Sequence, residues 1–271
     1  MEAIIIYILM FCIGTVFGSF FTLAVYRIPL HQDITHKRSY CPNCNHKLSF
    51  LDMIPILSYI FLGGKCRYCK TKIRIRYLLL EVLTGILFLL WTISLNINIL
   101  NPETSKLVYL VVGLLYLAGI IIIAGIDKEK ISISKPVVLY EIILLAIYMI
   151  YLYVVEKANM YRYVIYLLFI CAFLIINNIY YNKKLKDNYT IDVIILSMVM
   201  ALFTTEVCYF LTVIFTLLII GIVSLIKALN TRSKKYIKTN KEISTKLPIG
   251  FYLCCSNIIV TLFINFMACR W

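Results

Sequence analysis

Long apolar runs separated by short polar segments dominate the chain. Crossing the hydrocarbon core of a bilayer as a helix takes about 20 apolar residues. Besides seven longer runs, a shorter apolar stretch at 191–203 has to cross if the basic loops at 182–190 and 227–246 are to lie on one face. The pattern predicts an all-α polytopic membrane protein with about eight transmembrane helices. The seven longer runs lie at about residues 3–26, 78–98, 107–126, 137–155, 163–181, 206–227 and 248–268.

The composition excludes a water-soluble globular protein, because 62% of the 271 residues are hydrophobic and only 15% are charged. If the N-terminus lies outside, the loops on the other side carry 23 of the 27 Lys and Arg residues, and the positive-inside rule makes that side cytoplasmic. The net charge of +14 therefore reflects topology rather than nucleic-acid binding. The basic segment 233–241 is suited to contact with anionic lipid. The cytoplasmic loops are 27–76, 127–136, 182–190 and 227–246.

The loop at 27–76 carries two CxxC pairs, CPNC and CRYC, with 21 residues between them. Each pair forms a tight turn that directs two sulfur atoms to one point, and two such knuckles complete a tetrahedral zinc site. A disulfide conflicts with the cytoplasmic placement, where thiols stay reduced. His46 is a potential competing ligand, but four cysteines already fill the site. We predict a structural Zn²⁺ site whose ligands are Cys41, Cys44, Cys66 and Cys69.

Two aspartates lie where predicted spans meet the cytoplasmic face. Asp127 ends the third span, where its negative charge opposes the helix macrodipole. Asp192 opens the short apolar stretch, where a simple capping role is the alternative. Because both lie at one membrane depth, they can share a proton and act as an aspartic protease dyad.

Polar and small residues in the first spans add weaker signals. Glu81 lies about four residues inside the second span, which is costly unless the carboxyl faces protein, water or a ligand. Glu141 has a similar place in the fourth span, where snorkelling toward the interface is the simplest explanation. Gly14 and Gly18 share one face of the first span, and close helix packing is the commoner reason for such spacing. Arg27 is expected to anchor the cytoplasmic end of that span.

These motifs in this order resemble the bacterial prepilin peptidases, also called type IV prepilin leader peptidases. The resemblance is continuous over residues 18–85, through GSFFTLAVYRIP, CPNC, LDMIPILSYIFLGGKCRYC and IRIRYLLLEVLTG, and continues to AGID. Farther on, IDVIILSMVMALF and KLPIGFYL are similar to later family segments.

The resemblance implies a bifunctional enzyme of the bacterial plasma membrane. It would cleave the leader from type IV prepilins or pseudopilins at the cytoplasmic face and methylate the new N-terminal amine with S-adenosylmethionine. Asp127 and Asp192 match the catalytic aspartates, and Gly18, Arg27 and Glu81 match positions associated with the methyltransferase region. The implied division places the zinc loop and the methyltransferase part in residues 1–100 and the membrane aspartic peptidase domain in 101–271.

The chain departs from the family pattern before the second aspartate. The family's GxGD reads here as Tyr189, Thr190, Ile191 and Asp192, without either glycine. Asp187, five residues earlier in a hydrophilic loop, is the alternative partner for Asp127.

Two other classes of protein remain open from the residues alone. A non-catalytic zinc-loop scaffold or sensor explains the cysteines and the hydropathy, but it does not need two aspartates at one depth. A transporter explains intramembrane acids, but it predicts midplane sites and paired broken-helix repeats, which the sequence does not show. The pilin substrate and the oligomeric state are not encoded in a recognisable motif.

Overall fold

The computed structural model describes residues 2–34, 39–97, 103–182, 189–233 and 247–268. Regular structure in these ranges is helical, apart from isolated β-bridges in the zinc loop. Short 3₁₀ segments at Ile28–Leu30 and Phe50–Met53 also lie in or next to that loop. The α-helices are α1 (Glu2–Arg27), α2 (Leu57–Phe61), α3 (Arg76–Ser94), α4 (Thr104–Lys130), α5 (Lys135–Val154), α6 (Tyr161–Asn182), α7 (Tyr189–Phe203), α8 (Glu206–Ser233) and α9 (Ile249–Ala268).

Seven helices in the described part of the chain are long and apolar enough to cross a membrane, which confirms the seven predicted runs. The helix α7 was also predicted, but its 15 residues rise only about 22 Å, less than the roughly 30 Å of a hydrocarbon core. Whether α7 crosses therefore stays a prediction.

Two helix ends differ from the predicted limits. The helix α3 stops at Ser94 instead of continuing to 98, because Asn96 adopts a positive φ of 43° that breaks the helical path. The helix α4 continues to Lys130, so Asp127 lies within its last turn rather than beyond it.

The chain forms two compact units. The first contains Met1–Ile122 and Asn265–Trp271, and the second contains Ile123–Ile264. This structural division lies later in the chain than the functional boundary at 100/101, which stays a prediction.

In the first unit, α1 packs closely against α3. A Cβ atom built on Gly14 would lie 2.8 Å from the Cα of Gly85, and one built on Gly18 would lie 2.8 Å from the Cα of Glu81. Glycines at these positions let the two backbones approach more closely than side chains would allow. The predicted packing role of the glycine face is confirmed.

In the second unit, α7 packs against α5, α6 and α8. Its side chains are buried on most sides, including Leu196, Val199 and Met200, which are fully buried. A helix that is apolar all round requires such an enclosed position. The N-terminus of α7 is thereby fixed beside the acidic residues described next.

Candidate functional site

The two CxxC pairs fold into repeated knuckles. In the first, the Cys41 N–H donates to the His46 carbonyl (3.0 Å) and the Asn45 N–H donates to the Cys41 carbonyl (2.8 Å). In the second, the Cys66 N–H donates to the Thr71 carbonyl (2.9 Å) and the Lys70 N–H donates to the Cys66 carbonyl (3.0 Å). The predicted tight turns are therefore present, each with a positive φ four residues after its first cysteine, 56° at Asn45 and 59° at Lys70.

The knuckles bring the four sulfur atoms within 4.8 Å of one another. The Sγ atoms of Cys41 and Cys69 are 3.8 Å apart. A tetrahedral site with Zn–S bonds of about 2.3 Å places its sulfurs roughly 3.8 Å apart, so this donor set fits zinc. The cluster can therefore hold a metal with all four of its positions filled by cysteine.

Polar groups surround the Cys69 thiol. Its Sγ lies 3.2 Å from the Thr71 hydroxyl, and the Asn43 amide donates to the same sulfur at 3.7 Å. The hydrogen bond with Thr71, supported by that from Asn43, lowers the pKa of Cys69 to about 6. Cys44 differs, because a backbone hydrogen bond from His46 that lowers its pKa is outweighed by desolvation and the neighbouring thiols, which raise it to about 11. Hydrogen bonds to a ligand sulfur of this kind orient it for metal binding.

Asp52 ties the second knuckle to the 3₁₀ segment Phe50–Met53. Its carboxylate accepts hydrogen bonds from the Ser49 N–H (3.1 Å) and hydroxyl (2.7 Å), from Arg67 Nε (2.6 Å) and from the Tyr68 hydroxyl (3.3 Å). Burial raises the pKa of Asp52, but the hydrogen bonds from Ser49 and Arg67 outweigh that effect and hold the pKa below its ordinary value. Sequence reasoning did not identify this contact set.

Glu81 meets the zinc loop at a strained turn. The Ile56 N–H donates to Glu81 Oε2 at 2.8 Å. Ile56 has φ 61° and ψ −55°, and the Leu57 N–H donates to the Pro55 carbonyl at 2.6 Å, which is the geometry of a γ-turn of the rare, strained type. A β-branched residue adopts this conformation only where its surroundings enforce it.

The predicted methyltransferase residues are only partly brought together. Gly18 lies directly against Glu81, but helix packing fills the space in front of it. Arg27 is nine residues farther along α1, about 14 Å away. Its Nη1 donates to the Asp33 carbonyl at 3.0 Å, and its guanidinium carbon lies 6.0 Å from the centre of the Tyr40 ring. The roles of Gly18, Arg27 and Glu81 stay predictions.

Asp127 is fully buried at the N-terminus of α9. Its Oδ2 accepts hydrogen bonds from the Phe251 N–H (2.8 Å) and the Tyr189 hydroxyl (2.9 Å). The Gly250 N–H donates to the Tyr189 hydroxyl oxygen at 3.1 Å. The first N–H groups of a helix have no partner within the helix and carry a partial positive charge, so this end of α9 offsets the unfavourable position of Asp127 near the C-terminus of α4.

The second carboxyl oxygen of Asp127 differs from the first in its hydrogen bonding. Among the residues that the structure describes, Oδ1 is buried and accepts no hydrogen bond. A Cβ atom on Gly250 would lie 3.0 Å from Oδ2 and 3.3 Å from the carboxyl carbon, so the helix end approaches this closely only because residue 250 is glycine.

Asp192 lies one turn after Tyr189 on α7, on the same face of the helix. It is mostly buried, and its Oδ1 accepts a hydrogen bond from Asn177 Nδ2 on α6 at 2.8 Å. The hydrogen bonds of Asp127 go to Tyr189 and Phe251 rather than to Asp192. Two successive turns of α7 therefore carry Asp192 and the phenol that binds Asp127. Asp187, the alternative partner, lies outside the described residues, as does most of the basic segment 233–241.

The position of Glu141 contradicts the sequence-based prediction for this residue. Instead of snorkelling to an interface, it is fully buried in the second unit, and neither carboxyl oxygen has a hydrogen-bond partner among the described residues. Its position on α5 directs it inward because the neighbouring inward positions Val137, Val138 and Leu145 are also buried. The thiol of Cys254 lies within electrostatic reach of both Glu141 and Asp127.

A family model, the bacterial peptidase A24 N-terminal domain, matches residues 12–95. The match contains Gly18, Arg27, Glu81 and the four cysteines, whereas both predicted catalytic aspartates lie beyond it.

Curated relatives share this part of the chain. The prepilin leader peptidase/N-methyltransferase of Myxococcus xanthus is 43% identical over 81 residues, which are 30% of this chain and 24% of the relative. The protein of the same name from Vibrio cholerae is 38% identical over 86 residues, 28% of this chain and 34% of the relative. That from Klebsiella pneumoniae is 34% identical over 128 residues, 44% of this chain and 51% of the relative.

The chain thus matches between a quarter and about half of the length of these relatives. No solved structure matches it. The resemblance to bacterial prepilin peptidases is confirmed.

Sequence reasoning missed Tyr189, Asn177 and Gly250 around the two aspartates. The signals that were available are Pro248 and Gly250 at the start of α9 and the tyrosine in place of a family glycine.

Proposed function

We propose that the protein is a membrane aspartic endopeptidase that removes the leader from type IV prepilins or pseudopilins and methylates the new N-terminus. The observation that carries the peptidase part is the environment of Asp127. A carboxyl buried in a membrane-spanning helix is costly unless it serves a purpose, and here one oxygen is fixed by two donors while the other has no hydrogen-bond partner in the described part of the chain.

In this mechanism Asp127 is the general base. Its unpartnered Oδ1 takes a proton from a water molecule as the water oxygen attacks the scissile carbonyl carbon. Asp192 carries a proton and donates it to the carbonyl oxygen, so that the tetrahedral intermediate is neutral. As the intermediate collapses and the C–N bond breaks, Asp127 delivers its proton to the leaving amine, and Asp192 takes back a hydroxyl proton as the carbonyl re-forms.

The distribution of Lys and Arg supports cytoplasmic placement of this dyad and of the zinc loop. The substrate would be a transmembrane helix with a basic leader that approaches laterally. Because helical carbonyls are hydrogen-bonded and shielded, cleavage requires local unwinding of that helix. We expect this unwinding at the membrane boundary beside the short helix α7, which begins at the dyad.

Zinc would be held by Cys41, Cys44, Cys66 and Cys69 in a structural role, because four cysteine ligands leave no position for water. The methylation activity rests on the names of the relatives and on the family resemblance. S-adenosylmethionine would supply the methyl group, and Gly18, Arg27 and Glu81 are the residues that the resemblance associates with this activity.

The test is co-expression of the protein with a tagged type IV prepilin, with leader removal read by intact mass. Asp127→Asn and Asp192→Asn are compared with Glu206→Gln, which changes an exposed acid at the start of α8. We expect the wild type and Glu206→Gln to cleave and both aspartate variants to fail while still inserting in the membrane and retaining zinc.

Other outcomes would indicate a different dyad partner or a different function. Cleavage by Asp192→Asn would remove Asp192 from the dyad and make Asp187 the next residue to change. A wild type that binds zinc but cleaves none of a panel of prepilins would favour the scaffold or sensor. An added methyl group on the cleaved product, absent without the enzyme, would support the second activity.

A further inference from the structure

The residue that replaces the first glycine of the family's GxGD pattern binds the candidate catalytic acid. Tyr189 is half-buried at the first residue of α7, and its hydroxyl donates to Asp127 Oδ2 at 2.9 Å. A glycine at this position has no side chain and cannot make this hydrogen bond. The substitution therefore introduces a functional group at the site and not merely bulk.

The phenol bridges three helices. Its oxygen accepts the Gly250 N–H at the start of α9 (3.1 Å), its proton goes to Asp127 on α4, and its backbone opens α7. The next N–H group of α9, that of Phe251, donates directly to the same Asp127 oxygen (2.8 Å). The second and third amides of α9 thus both reach Oδ2, one directly and one through the phenol.

We propose that Tyr189 is a positioning residue of the peptidase: it fixes the rotation of the Asp127 carboxyl so that Oδ1 is the oxygen presented to water. This inference rests on the proposed function. With two donors on Oδ2, rotation of the carboxyl about its Cβ–Cγ bond breaks both hydrogen bonds. With Phe251 as the sole donor, the carboxyl plane can turn about that one hydrogen bond, and the base is no longer held in one orientation.

The same phenol couples the two acids. Because Tyr189 and Asp192 are three residues apart on α7, the hydrogen bond from Tyr189 to Asp127 also holds the turn that carries Asp192. A family member with glycine at this position would need another element for this connection. In this chain the tyrosine provides it.

The first experiment compares Tyr189→Phe with Tyr209→Phe. The former loses the hydroxyl and keeps the ring, and the latter removes a hydroxyl from α8 whose ring packs near Tyr166. Steady-state cleavage of a prepilin in detergent should show kcat reduced by about 10- to 100-fold for Tyr189→Phe, as expected for loss of a hydrogen bond to a charged group. We expect KM to change by less than about twofold, and we expect Tyr209→Phe to match the wild type.

The second experiment separates the hydroxyl from the ring. Tyr189→Gly restores the family residue and leaves a space the size of the lost side chain, and such spaces in proteins can bind small aromatic molecules. Added phenol should restore part of kcat to this variant, whereas toluene, which is similar in size but lacks the hydroxyl, should not.

Three results would overturn the inference. Wild-type kcat in Tyr189→Phe, or equal rescue of Tyr189→Gly by toluene and phenol, would show that only the ring matters, with the peptidase assignment intact. A wild-type enzyme that cleaves no prepilin would refute the proposed function and this inference with it.

Discussion

Changing Gly18 to alanine distinguishes helix packing from direct ligand contact at a predicted methyltransferase residue. The added Cβ would lie 2.8 Å from Glu81 Cα, 3.0 Å from the Leu80 carbonyl oxygen and 3.1 Å from Thr84 Cβ. Non-bonded carbons prefer about 3.5–4.0 Å, and two of these three atoms belong to the backbone of α3. The helices α1 and α3 must therefore separate by roughly 0.7–1 Å, and overpacking of this kind costs about 1–3 kcal/mol.

The matched control is Gly221→Ala in α8, where an added Cβ meets nothing within 4 Å. Both variants gain the same helix propensity, about 1 kcal/mol, so the difference between them isolates the packing cost. At about 2–4 °C per kcal/mol, Gly18→Ala should melt about 2–12 °C below Gly221→Ala. The assay is far-UV circular dichroism in one detergent at one scan rate. Melting of the two variants within 1 °C of each other, about the error of the assay, would refute the packing argument, and loss of methylation at unchanged stability would assign Gly18 to ligand contact.

Three further substitutions test the two units separately. Asp52→Asn should destabilise the zinc loop by about 1.5–3 kcal/mol and speed zinc release to a chromogenic chelator. Because folding lowers the pKa of Asp52 below its ordinary 3.8, this stabilisation is present near neutral pH and is lost as the pH falls through the folded pKa. A release rate equal to the wild type at pH 7 would contradict it. Gly250→Ala should push the Asp127 carboxyl away by a few tenths of an ångström and lower kcat for leader cleavage by about tenfold, with Gly221→Ala as the unaffected control. Glu141→Leu should raise the melting temperature by removing a buried carboxyl that has no hydrogen-bond partner among the described residues, at a gain of about 1–3 kcal/mol. A lower melting temperature would show that the carboxyl contributes to stability.

The features that were predictable from sequence are those encoded locally. Apolar runs determine seven membrane helices, and the CxxC spacing determines the knuckles, because each depends on residues close together in the chain. The contact between Gly18 and Glu81 was partly predictable, since the glycine spacing marks a close-packing face but does not name the helix that packs there.

The surroundings of Asp127 were not predictable in the same way. Its partners Tyr189 and Phe251 lie 62 and 124 residues away in the chain. Hydropathy indicates that a helix spans the membrane but not which helix ends meet. The inward direction of Glu141 was missed for a related reason, because α5 is apolar around most of its circumference and the buried side is selected by packing against its neighbours.

The strained turn at Ile56 links two sites that are otherwise separate in the sequence. Arg67 and Tyr68, within the second knuckle, donate hydrogen bonds to Asp52. Four residues after Asp52, the Ile56 N–H donates to a carboxylate oxygen of Glu81. A metal at the knuckles and a ligand that displaced Ile56 from Glu81 would therefore act on one short segment of backbone. Thermodynamic reciprocity then requires that any ligand which displaces Ile56 from Glu81 alters the affinity for zinc by the same factor by which zinc alters the affinity for that ligand.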